Sequence, residues 1–190
     1  MKASDDNRQI AETARAVFGG TPRVVQYLDA DEKSEIAVLS SVDRPEPGLI
    51  SFCTITLSDH PIPGRVQPPL GVEIVAVSTA PEFAAVLSTA AFCAINSGWL
   101  VEPGRVFPDV VGAHISDTTV PHLMFVDPFL WDDSDFAARP MTGKTVAWVQ
   151  GVPISDAEME YVRSHSSDAL EDLFVSAQPD VLDLRRPSVV

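Results

Sequence analysis

The stretch VAWVQGVPISDAEMEYVRSHSSDALEDLF, residues 146–174, decides the fold, because it joins a strand to two helical segments across a short turn. Val146, Trp148 and Gln150 alternate with Ala147 and Val149, and every position but Gln150 is apolar. A run apolar on both faces belongs inside a sheet that is covered on both sides. Gly151 and Pro153 are expected to stop its ladder. Ser155 and Glu158 form a capping box, in which the hydroxyl accepts from the Glu158 amide and the carboxylate accepts from the Ser155 amide. A helix is therefore predicted to begin at Asp156. A second helix is predicted from Asp168 to Ala177, since Ala169, Leu170, Leu173, Phe174 and Ala177 recur at helical spacing while Glu171 and Asp172 face away.

Upstream, Ser4, Asp5 and Asp6 cap a helix that places Ile10, Ala14, Val17 and Phe18 on one face, and Gly19-Gly20-Thr21-Pro22 ends it. Arg23 to Leu28 and Glu35 to Ser41 read as a hairpin, followed by a loop with two prolines from Val42 to Gly48. Leu49 to Leu57 is predicted as a third strand with mixed faces, hence interior. Asp59 to Pro69, with four prolines in eleven residues, is expected to be an exposed loop. Val72 to Ser78 is a nearly continuous apolar strand. Thr79 and Glu82 are expected to cap the next helix, whose wide stripe of Phe83, Val86, Leu87, Ala90, Ala91, Ala94 and Ile95 predicts burial against the sheet until Gly98 closes it. After a turn at Pro103-Gly104, strands are expected at Arg105 to Val111 and Pro121 to Val126.

The strand at 146–150, the Pro153-Ile154-Ser155-x-x-Glu158-Met159 turn, the leucine-bearing second helix and the closing Asp183-Leu184-Arg185-Arg186-Pro187-Ser188-Val189 together resemble the C-terminal part of the suppressor-of-fused domain family. Thr54-Ile55-Thr56-Leu57-Ser58, Gly71-Val72-Glu73-Ile74 and Pro103-Gly104 fit in the same order, so the resemblance covers roughly residues 20–190. It implies an α/β (α+β) fold, a mixed sheet with helices packed against it, in one domain spanning 1–190. It also implies protein binding: animal members hold a transcription factor, and many bacterial members are immunity proteins that neutralise toxins. The additional region of the animal members has no counterpart at this length, so their ligand does not carry over.

With 13 basic and 27 acidic residues the net charge is −14, and it is spread evenly, −7 over residues 1–126 and −7 over 127–190. The longest basic run is Arg185-Arg186, which excludes the cationic footprint of a nucleic-acid binder. An acidic surface suits a basic protein partner as well as plain solubility. No apolar run reaches membrane-spanning length, and Met1 to Asp6 has no secretory signal, so a cytoplasmic protein is expected. Cys53 and Cys93 sit in apolar elements and read as buried thiols.

Catalytic patterns are weak. Gly143-Lys144-Thr145 matches the end of a phosphate-binding loop, but Ala138 stands where the first glycine belongs and a strand follows. Ser58-Asp59-His60 contains triad residue types, yet sequence neighbours on an extended chain point apart. His114, Asp117 and His122 are potential metal ligands at no recognised spacing. The expectation is therefore a chain without a catalytic residue, metal or cofactor that binds a protein partner, a cognate toxin being the candidate. Its partner surface is placed at Trp131, Asp132, Asp133 and Asp135, in the irregular stretch from Asp127 to Gly143. The alternative there is that Trp131 turns into the core and the acids are merely solvated. The competing functions are a hydrolase using His60 or His114 with a carboxylate, and a scaffold or oligomerisation domain.

Overall fold

The computed structural model describes residues 4–60 and 68–190. In chain order it contains α1 (Asp5–Phe18), β1 (Arg23–Leu28), β2 (Glu35–Val42), β3 (Ile50–Thr54), a 3-10 turn (Leu57–Asp59), β4 (Leu70–Ser78), α2 (Phe83–Ser97), β5 (Val106–Phe107), β6 (His122–Val126), β7 (Arg139–Pro140), β8 (Thr145–Ile154), α3 (Asp156–Ser164) and α4 (Ser167–Ala177). The strands form one mixed sheet in the order β1-β2-β3-β4-β8-β6-β5, with β7 beside β8. Among the described residues only the β4–β8 pair is parallel. Among the described residues no helix is long and apolar enough to cross a membrane.

Alternation along the strands sends side chains to both faces of the sheet. Ile36, Val38, Phe52, Ile74, Ala76 and Val149 pack with Phe83, Val86, Leu87 and Ala90 of α2. Leu39, Cys53, Val75, Val146 and Trp148 pack with Ile10, Ala14 and Phe18 of α1. Met124, Val126, Val152 and Ile154 carry a third cluster, which receives Leu170 and Phe174 of α4 and Met159 of α3. The buried-on-both-faces reading of residues 146–150 thus holds, with α1 on one side and α2 on the other.

Several boundaries differ from the sequence reading. β8 runs on through Gly151 and Pro153 to Ile154, pairing Phe125 with Gly151 and Leu123 with Pro153. Its parallel partner β4 leaves at the Val75–Gln150 pair, so beyond Gln150 the strand has a single neighbour and tolerates proline as an edge does. β3 stops at Thr54 instead of reaching Leu57, because a buried carboxylate draws the chain out of the ladder. Glu73 Oε2 accepts from Thr54 Oγ1 (2.5 Å) and the Leu57 amide (3.3 Å), and Oε1 accepts from the Ser58 amide (3.0 Å). Gly71 makes room for that turn: a Cβ there would lie 2.7 Å from the Cβ of Ser58.

The expected Thr79–Glu82 cap is absent. α2 starts at Phe83 through short-range bonds, Phe83 N to Ala80 O (3.1 Å) and Ala85 N to Glu82 O (2.9 Å), and the Ala80 amide goes to Ser78 Oγ (3.1 Å). Arg105 to Val111 contributes only the two residues of β5; Val111 and Gly112 turn to donate to Pro121 O (both 3.0 Å). The proline-rich loop expected at 59–69 lies, for residues 61–67, outside the described residues.

The capping box at the start of α3 is present, with Glu158 N to Ser155 Oγ (3.2 Å) and Ser155 N to Glu158 Oε2 (2.8 Å). The same carboxylate meets Arg186, whose Nη1 reaches Oε1 (2.5 Å) and Nη2 reaches Oε2 (2.8 Å), both partners fully buried. Arg186 Nη2 also donates to Pro153 O (3.1 Å), and its guanidinium lies 5.0 Å from the centre of the Phe174 ring. Val189 N adds a bond to Glu158 Oε1 (3.0 Å). Burial alone would push the Glu158 carboxyl up, but Arg186 and the Ser155 and Val189 amides hold it below its ordinary value.

Two outcomes follow from these buried carboxylates. Arg186→Ala leaves Glu158 without its cation and is expected to cost about 3–5 kcal/mol in urea unfolding; E158Q/R186A should cost less than the two single changes added together. Burial drives the Glu73 carboxyl up to about 7 against the bonds from Thr54, Ser58 and Leu57. A raised acid contributes stability below its unfolded value and loses it as pH rises through the folded one. Relative to Glu73→Gln, the parent chain should therefore lose stability between about pH 4.5 and 7 and change no further above that. Parallel pH profiles for the two proteins would refute the assignment.

A candidate partner-binding face

Gln150, the one polar residue of its apolar run, fixes the base of the 127–143 loop. Its buried Oε1 accepts from the amides of Phe129 (3.0 Å) and Leu130 (3.3 Å), which turns the chain away from the end of β6. A buried amide carbonyl serving two backbone donors is satisfied only in this position, so the loop leaves the sheet at a fixed point.

Trp131 is half-buried, its ring 5.5 Å from that of Phe18 and 5.1 Å, edge-on, from that of Phe136. Phe136 is in turn buried and packs 5.9 Å from Trp148. Asp132 and Asp133 are exposed. Asp135 is half-buried; its amide donates to Asp132 O (2.8 Å) and its carbonyl accepts from Arg139 Nη2 (3.2 Å). The four residues named from sequence therefore share one turn, with the tryptophan beneath as support and two carboxylates outermost. The aromatic ring that this loop presents to solvent is Phe129, 55% exposed.

The fold adds residues that sequence separation concealed. On α4, Asp168 and Asp172 are exposed and Glu171 is half-buried, and the field of Asp127 reaches Glu171 from the start of the loop. Burial first, then the charges of Asp168, Asp127 and Asp172, raise the Glu171 carboxyl above its ordinary value. Val175, one further turn along the same side of α4, is 76% exposed. Asp127 of the loop and the acids of α4 thus lie in one region, a signal legible in sequence only as Glu171 and Asp172 facing away from the core.

The other chemical candidates separate. Ser58 is fully buried, and its hydroxyl faces Lys144 Nζ (3.2 Å) instead of His60. Lys144 also donates to Ser58 O (3.0 Å) and Asp59 Oδ1 (2.9 Å), while Asp59 Oδ2 accepts from Asn7 (2.9 Å). His60 and Asp59 both line an open cleft of about 650 Å³, but the carboxylate oxygens of Asp59 are thus occupied. His114 bonds Thr89 Oγ1 (2.7 Å), and burial lowers its pKa. Asp117 pairs with Arg185. His122 is buried; its Nδ1 accepts from the Asp109 amide (2.9 Å), so Nε2 carries the proton shared with Asp156 (3.0 Å). His114, Asp117 and His122 therefore have three different sets of partners, and among the described residues no group of three His, Cys, Asp or Glu is arranged to hold a metal. Lys144 precedes a strand, with no helix end for a phosphate. Cys53 and Cys93 are free and serve different layers, Cys53 that of α1 and Cys93 that of α2. Burial, followed by the charge of Glu73, pushes the Cys53 thiol well up, opposite to the shift a nucleophile requires.

The chain is 41% identical to the immunity protein YqcF of Bacillus subtilis (strain 168) over 193 residues, covering all of both chains. Its fold superposes on that of a suppressor-of-fused homologue from Neisseria gonorrhoeae FA 1090 with a TM-score of 0.78 at 16% identity, covering 98% of this chain and 97% of that one. A Sufu–Fu complex structure matches with a TM-score of 0.70 at 15% identity, over 97% of this chain and 92% of the other. The model of the suppressor of fused protein family matches residues 32–187, and the chain belongs to that family.

Proposed function

We propose that this chain is a non-catalytic, cytoplasmic bacterial immunity protein, a single domain over residues 1–190, that neutralises a cognate toxin by covering it. The observation that carries the reading is the end-to-end similarity, at 41% identity, to a protein named as an immunity protein. The separation of Ser58, His60, His114 and His122 from any shared reactive centre supports binding over turnover.

The face built from the 127–143 loop and α4 is the proposed contact. Asp132 and Asp133, with Asp127, Asp168 and Asp172, attract a basic surface and orient it during approach, and Phe129 and Val175 supply area to bury once contact forms. Trp131 and Asp135 set the shape of the turn from below, Trp131 through Phe18 and Phe136. Inhibition then follows from occlusion, and tight binding from complementarity.

Co-expression with the toxin encoded beside its gene should yield a stable complex and protected cells; no complex and no protection would remove the immunity reading. Within the complex, Phe129→Ala should weaken binding by about 10-fold or more through dissociation. D132K/D133K should instead slow association and flatten its dependence on salt. Both variants should unfold at the parent temperature, because the changed side chains are exposed. Unchanged affinity in both would move the contact to another face.

A further inference from the structure

β1 ends the sheet, and its register with β2 runs without interruption from Arg23–Ser40 to Leu28–Glu35. Its other side is a row of backbone donors and acceptors with no strand beside it among the described residues. Strands left in this position are ordinarily guarded by proline, a bulge, inward charge or a covering element. Within RVVQYL there is neither proline nor bulge, and Val24 and Leu28, on the same face, are 53% and 54% exposed. The opposite end of the sheet, β5, is only two residues long.

We propose that β1 is a self-pairing edge, through which two copies of the chain join antiparallel about a two-fold axis at Gln26. The occupant is a second copy because the strand is complementary to itself. With Gln26 opposite its own mate, Val24 of each copy faces Leu28 of the other, so that the two exposed apolar side chains bury one another twice. The same register sets Arg23 opposite Asp29, whose carboxylate is held in place by the Lys33 amide (2.7 Å) and Asn96 (2.9 Å). A perpendicular two-fold axis requires paired residues to share a face, and these pairs do. Val24 and Gln26 also form part of the rim of the 650 Å³ cleft beside α1, which the incoming Leu28 narrows. Seven paired residues on each copy bury an area at the low end of specific interfaces, so the association is concentration-dependent. It does not rest on the immunity reading.

Sedimentation velocity on the full chain should show a species of twice 20.5 kDa growing with concentration. Val24→Lys and Leu28→Lys should each abolish it without changing the thermal unfolding of the monomer. The V24K/L28E double variant should restore it, because in this register the two introduced charges face each other across the axis. Gln26→Cys should form one disulfide-linked dimer on oxidation, whereas the parent chain should not. A monomer alone up to roughly 0.5 mM overturns the proposal, since even small interfaces associate there. So does a dimer that survives both lysine variants, which places the contact elsewhere. A chain that stays monomeric but loses toxin binding on Val24→Lys would give the edge to a partner's strand and equally refute self-pairing.

Discussion

The Glu158–Arg186 pair holds more of this structure than any other polar contact, because one carboxylate performs two tasks. Facing the Ser155 amide it starts α3; facing Arg186 it fastens the C-terminal segment across the end of β8. Removing both charges from water is costly, and the cost is offset only when nearly every lone pair and proton finds a partner. Glu158 accepts from Arg186, Ser155 and Val189, while the guanidinium reaches Pro153 O and stacks near Phe174 of α4. Arg186 Nε has no partner among the described residues, so the satisfaction is high and incomplete. Through Phe174 the pair also fixes how α4 lies on β6 and β8, and hence where Asp168, Asp172 and Val175 point. The surface chemistry of the face depends on an interaction that never reaches solvent.

Glu73 shows the opposite solution to the same problem. It is as buried as Glu158 but has hydroxyl and amide donors and, among the described residues, no cation in contact, so its proton affinity rises where that of Glu158 falls. Lys144 stands one shell away, bonded to Ser58 and Asp59. The chain therefore contains one buried carboxylate that stabilises as an anion and one that is partly protonated near neutrality, a difference that neither the apolar neighbours of Glu73 nor the capping box of Glu158 shows in sequence.

This contrast explains what was legible in the sequence and what was not. Local periodicity and capping located α1, α4, the β1–β2 hairpin, the stripe of α2 and the start of α3, since those signals reside within a few residues. The end of β3 was not legible, because Thr54, Leu57 and Ser58 turn toward a carboxylate on the next strand. Pro153 read as a stop, and only the departure of β4 at Gln150 shows why the ladder continues. Gln150 was visible as an oddity, but its role as anchor for the Phe129 and Leu130 amides needed the loop in place. Of the candidate face, the 127–143 loop was identified from its aromatic and acidic residues. The contribution of α4 was hidden because Asp127 and Glu171 are brought together by packing alone. Trp131 was the ambiguous residue: half-buried against Phe18 and Phe136, it supports the turn from which Asp132 and Asp133 project.

The strand order also separates the two surfaces to which function has been assigned. β1 lies at one end of the sheet, whereas α4 packs on β6 and β8 toward the other; the 127–143 loop leaves from Gln150 of β8 and runs back against Phe18 of α1. Charge argues the same way: a net −14 on each copy disfavours bringing two acidic faces together, while the β1 register matches Arg23 with Asp29. A pair joined at β1 would leave both acidic faces uncovered at its far ends. A partner with two basic sites, or two copies of one partner, would then meet them with an effective concentration set by the sheet, since no flexible linker intervenes. Because the proposed edge uses Val24, Gln26 and Leu28 and the proposed partner face uses Phe129, Asp132, Asp133 and α4, the two contacts would not compete for the same residues.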